Sequence, residues 1–430
     1  MICGVILVFD HNYFASLIAG DVCGGMNVRS AEASQRGCGG QWEQGPLAAM
    51  MRVEIKPELL RWARERSGLG HAALAHRFPQ LDAWERQESS PTLKQLEGFA
   101  KATHTPVGYL FLREPPVERV PIPDFRTVGN ERIGHPSPDL LDTVYLCQQR
   151  QEWYRAFARS EGEEAVPFVG SAHMTGDVEA AAATIRRALG FDVEERRQMA
   201  TWTDALRRFI EQADAVGVLT MVNGVVGSNN RRGLDPHEFR GFALADNLAP
   251  LVFINGADTK AAQMFTLAHE LAHIWLGISA VSDTQASQMP EHDVERWCNR
   301  VAAELLVPLT VMRAEYDPRN PLGEEINRLA RRFKGSTLVV LRRMHDAGGL
   351  TRDQFWRAYR EEEERLRAMP AGSGGDFYLT LGARAGKRFA RALVVSTLEG
   401  RSSFTEAFRL LGFKKMATFR EVGRSLGVGV

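Results

Sequence analysis

The chain has 430 residues, enough for two or three domains with sizeable cores, and its 53 basic and 53 acidic side chains cancel to a formal net charge of zero. No global field draws it onto nucleic acid or a membrane, so any DNA contact must come from a local patch. A run of about 18 apolar residues is absent, which speaks against a membrane span, and five cysteines at 3, 23, 38, 147 and 298 without CxxC spacing argue for reduced thiols in a cytoplasmic protein rather than a disulfide framework.

Residues 1–50 differ from all that follows. Residues 1–9 are apolar but too short to span a bilayer, and they lack the basic flank of a signal peptide. Residues 20–45 are rich in Gly and Ser, and strong helical patterning begins only after Met50 and Met51. We expect 1–50 to be a disordered leader or an extension from a misassigned start. The stretch 51–114 reads as an all-α bundle: Pro57 suits a first helical position, and Leu59, Leu60, Trp62 and Ala63 give an apolar face ending near Ser67-Gly68. Short helices are expected over 71–78 and 79–87, and a fourth opens at Pro91-Thr92-Leu93 and closes at His104-Thr105-Pro106.

With Trp84-Glu85-Arg86 followed by Pro91-Thr92-Leu93-x-x-Leu96, residues 54–112 resemble an XRE-type helix-turn-helix domain. The resemblance implies a third helix that enters the major groove, with Arg77, Gln80 and Arg86 as the candidate DNA contacts. That helix departs from the pattern. It begins on Pro79 and sets Asp82 and Glu85 against Arg77 and Arg86. Two readings stand side by side: operator DNA as the ligand, or a module retained for docking a protein partner.

Pro115, Pro116, Pro121 and Pro123 form a stiff linker whose segment Ile122-Pro123-Asp124-Phe125-Arg126 is expected to dock on the next domain, and a helix over 139–160 is expected to bridge the two modules within 115–170. In the 171–370 region, helices are expected at 177–189 and 203–214 and a strand at 216–222. A hairpin should pair 241–244 with 251–254, its strand edge holding an extended peptide beside the metal helix. Arg231 and Arg232 read as a solvated loop, with contact to an acidic substrate as the alternative. Helices at 320–333 and 337–345 should complete this lobe, with His345 read as a helix C-terminal imidazole rather than an oxyanion stabiliser. The charged stretch 360–367 reads as a solvated helix face, 371–375 as a flexible linker, and 376–430 as a small helical C-terminal region.

The chemistry concentrates in Phe265-Thr-Leu-Ala-His269-Glu270-Leu-Ala-His273-Ile-Trp-Leu-Gly277, which contains His-Glu-x-x-His. On a helix, side chains four apart share a face, so the imidazoles of His269 and His273 can close on one Zn²⁺. Glu270 then flanks the metal, where a carboxylate can take a proton from the attacking water without being a ligand. A third ligand is needed from a second helix. Glu295 fits, and Asn299 one turn later can hydrogen-bond a ligand imidazole. Glu304 is the competitor, facing the opposite way two and a half turns on. Cys298 reads as a packed thiol and His292 as a surface imidazole.

Residues 265–273, Glu295-x-x-x-Asn299 leading to Ala302-Ala303-Glu304-Leu305-Leu306-Val307-Pro308, and the strand motifs at 241–244 and 251–255 together resemble the ImmA/IrrE family of zinc metallopeptidases. The resemblance implies a thermolysin-like (gluzincin) lobe with His269, His273 and Glu295 on zinc and Glu270 as base. The whole chain is then expected to be α+β and mostly helical: a helix-turn-helix bundle, the zinc lobe and a small helical tail. The family's usual protein substrate is a transcriptional repressor, here expected to be of XRE type. Such architectures also occur beside toxin genes, which implies an alternative: an antitoxin-like regulator of a toxin-antitoxin pair, binding an adjacent-gene toxin or operator DNA and keeping a residual or structural zinc lobe. Three protein ligands are visible where a structural site takes four, and that favours the enzyme.

Overall fold

Alternation along short strands builds a four-stranded sheet with an apolar layer on each face. In this computed structural model, residues 52–125, 127–128, 131–132, 136–282, 292–367 and 384–429 are described. The expectations for 1–50 and for 371–375 lie outside those residues.

The helical module comprises α1 (Pro57–Arg66), α2 (His71–Arg77), α3 (Leu81–Glu85) and α4 (Leu93–Ala102), closed by a 3-10 turn at Val107–Phe111. Leu60, Leu81, Leu96 and Phe99 are fully buried at its centre. The Thr92 hydroxyl accepts a hydrogen bond from the Gln95 backbone N–H while Gln95 Oε1 accepts one from the Thr92 backbone N–H, a reciprocal cap that fixes the start of α4. The expected third helix is a five-residue turn, and Asp82 on it pairs with His71 at 2.8 Å. Arg77, Gln80 and Arg86 are exposed around it.

A two-residue pair, β1 (Thr127–Val128) with β2 (Glu131–Arg132), precedes the long helix α5 (Pro138–Glu161). Then come α6 (Val178–Leu189), α7 (Val193–Gln198), α8 (Trp202–Ala215), β3 (Leu219–Asn223), β4 (Val225–Val226), β5 (Asn229–Gly233), β6 (Gly241–Leu244), β7 (Leu251–Asn255), α9 (Lys260–Leu276) and β8 (Ala280–Ser282). The chain continues through α10 (Asp293–Leu306), α11 (Leu309–Glu315), α12 (Leu322–Phe333), α13 (Thr337–Asp346) and α14 (Arg352–Arg367). Its last described helices are α15 (Lys387–Leu398), α16 (Phe404–Leu411) and α17 (Met416–Ser425).

The main sheet has the order β3-β7-β6-β8, with β3 parallel to β7 and the other pairs antiparallel. The hairpin of 241–244 with 251–254 is present, with Phe242 opposite Phe253, but both strands are interior. The strand edge expected at 241–254 is therefore not an edge; β8 is. Three residues give β8 too short a period to be read in sequence.

Leu219, Met221, Phe242, Leu244, Leu251, Phe253 and Val281 face one core, shared with α5, α15, α16 and α17. Ala243, Val252 and Ile254 face the other, with α6, α8, α9, α10, α12, α13 and α14. The helix expected to bridge the two modules is thus a cover for the sheet: Gln151 on α5 donates to the carbonyls of Leu244 (2.9 Å) and Ala249 (2.8 Å). Buried Arg150 donates to the carbonyls of Leu410 and Arg384, both at 3.0 Å, tying α5 to the C-terminal helices. Arg232, expected in a solvated loop, pairs with Asp139 and Asp142 at 2.6 and 2.7 Å and anchors the start of α5. Among the described residues no helix is long and apolar enough to cross a membrane.

Candidate metal centre

Helix α9 is fixed at both ends. Thr259 caps its start by accepting from the Ala262 backbone, and the Gln263 amide donates to the carbonyls of Gly256 (3.1 Å) and Asp258 (2.6 Å). Gly277 ends it with φ 71°, a left-handed turn that favours glycine, and a Cβ there would meet the Cα of Gly170 at 3.0 Å. The Gly170 and Ala172 amides donate to the last carbonyls, those of Ile274 and Trp275, and Phe168 stacks on Trp275 at 3.9 Å. Between the sheet and α10, every residue from Gln263 to Trp275 is buried.

His269 and His273 therefore project from a rigid, dry helix, their Nε2 atoms 3.1 Å apart. Glu295 arrives from α10 with one carboxylate oxygen 3.2 Å from His269 Nε2 and the other 3.0 Å from His273 Nε2. Three donors on one tetrahedral ion with bonds of about 2.0–2.1 Å stand about 3.3 Å from one another, so the group fits zinc. Asn299 Oδ1 accepts from His269 Nδ1 at 2.9 Å, which leaves Nε2 of that ring as the free donor atom. His273 Nδ1 is buried without a hydrogen-bond partner among the described residues.

The charges are poised for a cation. Burial works to raise the Glu295 carboxyl, but His269 and then His273 overcome it and hold the group well below the usual carboxylate range. Burial lowers His273 against the pull of Glu295, which favours the neutral, metal-ready imidazole. Glu270 is fully buried, and among the described residues neither of its oxygens closes a hydrogen bond. Burial first and the charge of Glu295 second push its carboxyl well above the ordinary range; the nearby Ser282 hydroxyl opposes them without bonding it in good geometry.

Cys298 also belongs to the cluster: its Sγ and a nitrogen from each of His269 and His273 lie within 4.8 Å of one another. The carboxylate of Glu295 stands closer to both rings, and burial keeps the Cys298 thiol protonated far above its ordinary range, a poor ligand without a bound cation to displace the proton. Glu304 is remote from this chemistry. It pairs with buried Arg343 and accepts from the Leu309 amide at the start of α11. His345 bonds the Leu350 carbonyl at 2.9 Å and stacks on Phe355. His292, read as a surface imidazole, is half-buried against Phe125 at 4.9 Å.

Two residues of the centre went unassigned in the sequence. Ser282 on β8 lies 3.4 Å from both His273 Nε2 and Glu295 Oε1. Gly241 on β6 lies under α9, where a Cβ would meet the Thr266 methyl at 2.5 Å and Glu270 Oε1 at 3.1 Å. Gly241 stands in a motif singled out above; its glycine before a run of apolar residues was the available signal.

Residues 213–345 match the IrrE N-terminal-like domain, a peptidase family, and residues 385–425 match a domain of unknown function (DUF8813). The chain is 34% identical over 96 residues to the radiation response metalloprotease IrrE of Deinococcus radiodurans. That match covers 21% of this chain and 29% of the relative, so the chain spans under a third of the relative's length.

Proposed function

The chain belongs to the ImmA/IrrE family through residues 213–345, and from that premise we propose that it is a zinc-dependent endopeptidase. The observation that carries this reading is the convergence of His269, His273 and Glu295 within 3.0–3.2 Å beside a buried Glu270 carboxylate whose oxygens close no hydrogen bond among the described residues. Zinc held by these three residues supplies Lewis acidity to water and to the peptide carbonyl. Asn299 orients His269 for that role. Glu270, its affinity for a proton raised by burial, takes one from the attacking water and returns it to the leaving amine. The walls of buried side chains around α9 keep bulk water from competing for that proton.

We take the substrate to be an XRE-type repressor in the cytoplasm, and the helical module to dock that repressor rather than read DNA. This rests on α3 being one turn long and on the engagement of Asp82 with His71 beside Arg77, Gln80 and Arg86. A docking module raises the local concentration of a narrow substrate at the metal centre. The test incubates the zinc-loaded protein with XRE-type repressors encoded by neighbouring genes and maps fragments by mass spectrometry. Cleavage that stops with chelator and in Glu270→Gln supports the enzyme. Zinc bound with no cleavage, together with nanomolar binding to operator DNA or to an adjacent-gene toxin that Glu270→Gln leaves unchanged, establishes the antitoxin-like regulator instead.

A further inference from the structure

The antiparallel register of β6 with β8 sets Gly241 opposite Ser282, Phe242 opposite Val281 and Ala243 opposite Ala280. Residues in such a ladder alternate between bonding their partner and facing outward. The backbone N–H and C=O of Val281 point away from β6, and both are taken: the N–H donates to the Pro123 carbonyl at 2.9 Å, and the carbonyl accepts from Phe125 N–H at 3.0 Å. Pro123–Phe125 thus lies on β8 as an added parallel strand. It brings the Phe125 ring to 4.9 Å from His292 and 6.4 Å from His273, nearly parallel to the latter at 24°.

A sheet edge binds an extended peptide through its unpaired N–H and C=O groups. The other edge of this sheet, β3, stands three strand spacings from β8, roughly 14 Å, so it does not border the metal centre. On β8, by contrast, Ser282 touches both His273 and Glu295, so a strand laid on its outer side runs past them. We propose that the outer edge of β8 is the peptide-binding edge, that it accepts an extended segment placing an aromatic side chain between His273 and His292, and that the chain's own Pro123–Phe125 fills it until substrate displaces it.

This rests on the peptidase reading for what the bound peptide is for, but not for where it binds. Among the described residues, two backbone bonds to Val281 and ring contacts with His292 and His273 hold the Pro123–Phe125 strap, contacts of a kind that a peptide laid on β8 can replace. Its upstream end is not loose. Arg66 of the helical module binds Glu118 with one hydrogen bond of 2.8 Å and a second, shorter contact, and Lys56 donates to the Arg113 carbonyl. Only 119–122 separate that anchor from the strap. A tethered occupant competes at an effective concentration of the order of millimolar, so it excludes casual peptides and yields to one delivered by docking on the module.

The test compares the zinc-loaded full chain with Phe125→Ala and Phe125→Pro, the second of which also removes the N–H given to Val281. Hydrolysis of dye-quenched casein is measured, and binding of labelled unfolded casein is measured by anisotropy with Glu270→Gln added to each protein. A strap that leaves the edge free in a tenth of molecules or fewer predicts about a tenfold or larger gain in casein affinity in both variants, read as a lower KM and a lower Kd. Unchanged or weaker binding overturns the proposal. Absence of hydrolysis in every protein removes the peptidase reading alone, since the anisotropy comparison still decides the strap. Should both variants lose their melting transition, saturating casein must speed amide exchange at Phe125 in the Glu270→Gln chain and leave Phe253 unaltered; equal exchange with and without casein overturns it.

Discussion

Glu270 and Glu295 lie side by side on neighbouring helices, yet their environments drive their protonation in opposite directions, and that division assigns their roles. Glu295 spends its charge on two imidazoles; Glu270 closes no hydrogen bond among the described residues. Replacing His269 or His273 with Ala should abolish stoichiometric zinc, whereas Glu270→Gln should keep zinc and fold and lose peptidase activity. Glu304→Ala should keep zinc and cost about 2 kcal/mol by removing one of the two carboxylates paired with buried Arg343, Asp346 being the other. Metal analysis and urea melts of these four variants and of Glu295→Ala check this, and zinc lost from Glu304→Ala but retained in Glu295→Ala would reassign the third ligand. Gly241→Ala should cost about 1–3 kcal/mol and depress activity more than stability, because the added methyl presses on Thr266 and on Glu270 itself; activity assays beside melts separate the two. The histidine pair was legible because its geometry is local, four residues on one helix. Gly241 and Ser282 were not, because their neighbours are set by which strands lie across α9, and no spacing in the chain encodes that.

Among the elements, α9 and α10 were readable from periodicity, and Asn299 followed from its place one turn after Glu295. The junction of α11 and α12 was not. There Glu325 buries its carboxylate against Arg328 at 2.7 and 2.8 Å, the Asn320 amide at 2.8 Å and the Asp317 amide at 2.9 Å. These bonds, Arg328 first, hold its carboxyl down at about 2 against an ordinary 4.5. A carboxyl lowered in the folded state contributes stability above its unfolded pKa, and that stability is lost as pH falls from about 4.5 toward about 2. Glu325→Gln should therefore cost about 2 kcal/mol at pH 7 and flatten that part of the acid limb, measured as urea midpoints between pH 6 and pH 2. Helix α5 was legible as a helix but not as a layer. Its buried positions include Arg150 and Gln151, whose partners are carbonyls far along the chain, so polarity in its sequence pointed to a bridge between modules rather than to a cover for the sheet.

At the scale of the whole molecule, zinc should act as part of the fold. Its donors come from α9 and α10, the two helices that join the sheet to the larger core, and a ligand that binds only the folded chain adds about 2.7 kcal/mol at a hundredfold excess over its Kd. Chelation should lower Tm by several degrees and restored zinc should recover it, while His273→Ala should melt at the same temperature with or without metal; calorimetry with and without chelator reads both. The mostly helical α+β character was expected from the family resemblance, with periodicity placing the individual helices. The unity of 52–430 was not, since an amphipathic helix shows that it covers something without showing what, and the Gly-rich 371–375 suggested a boundary where α15 and its successors return to the sheet.

That return has a consequence for synthesis. The face of the sheet carrying Phe242 and Phe253 is closed by α5 from before it and by Phe389, Leu393, Leu410 and Phe419 from far behind it. A nascent chain that has already made the metal-binding helices still exposes this apolar surface until residues 387–425 leave the ribosome, and unfinished chains with such surface are prone to aggregate or be degraded. Ribosomes stalled ahead of that segment would therefore release no stable chain, so the metal centre is withheld from use until translation has run through residues 387–425.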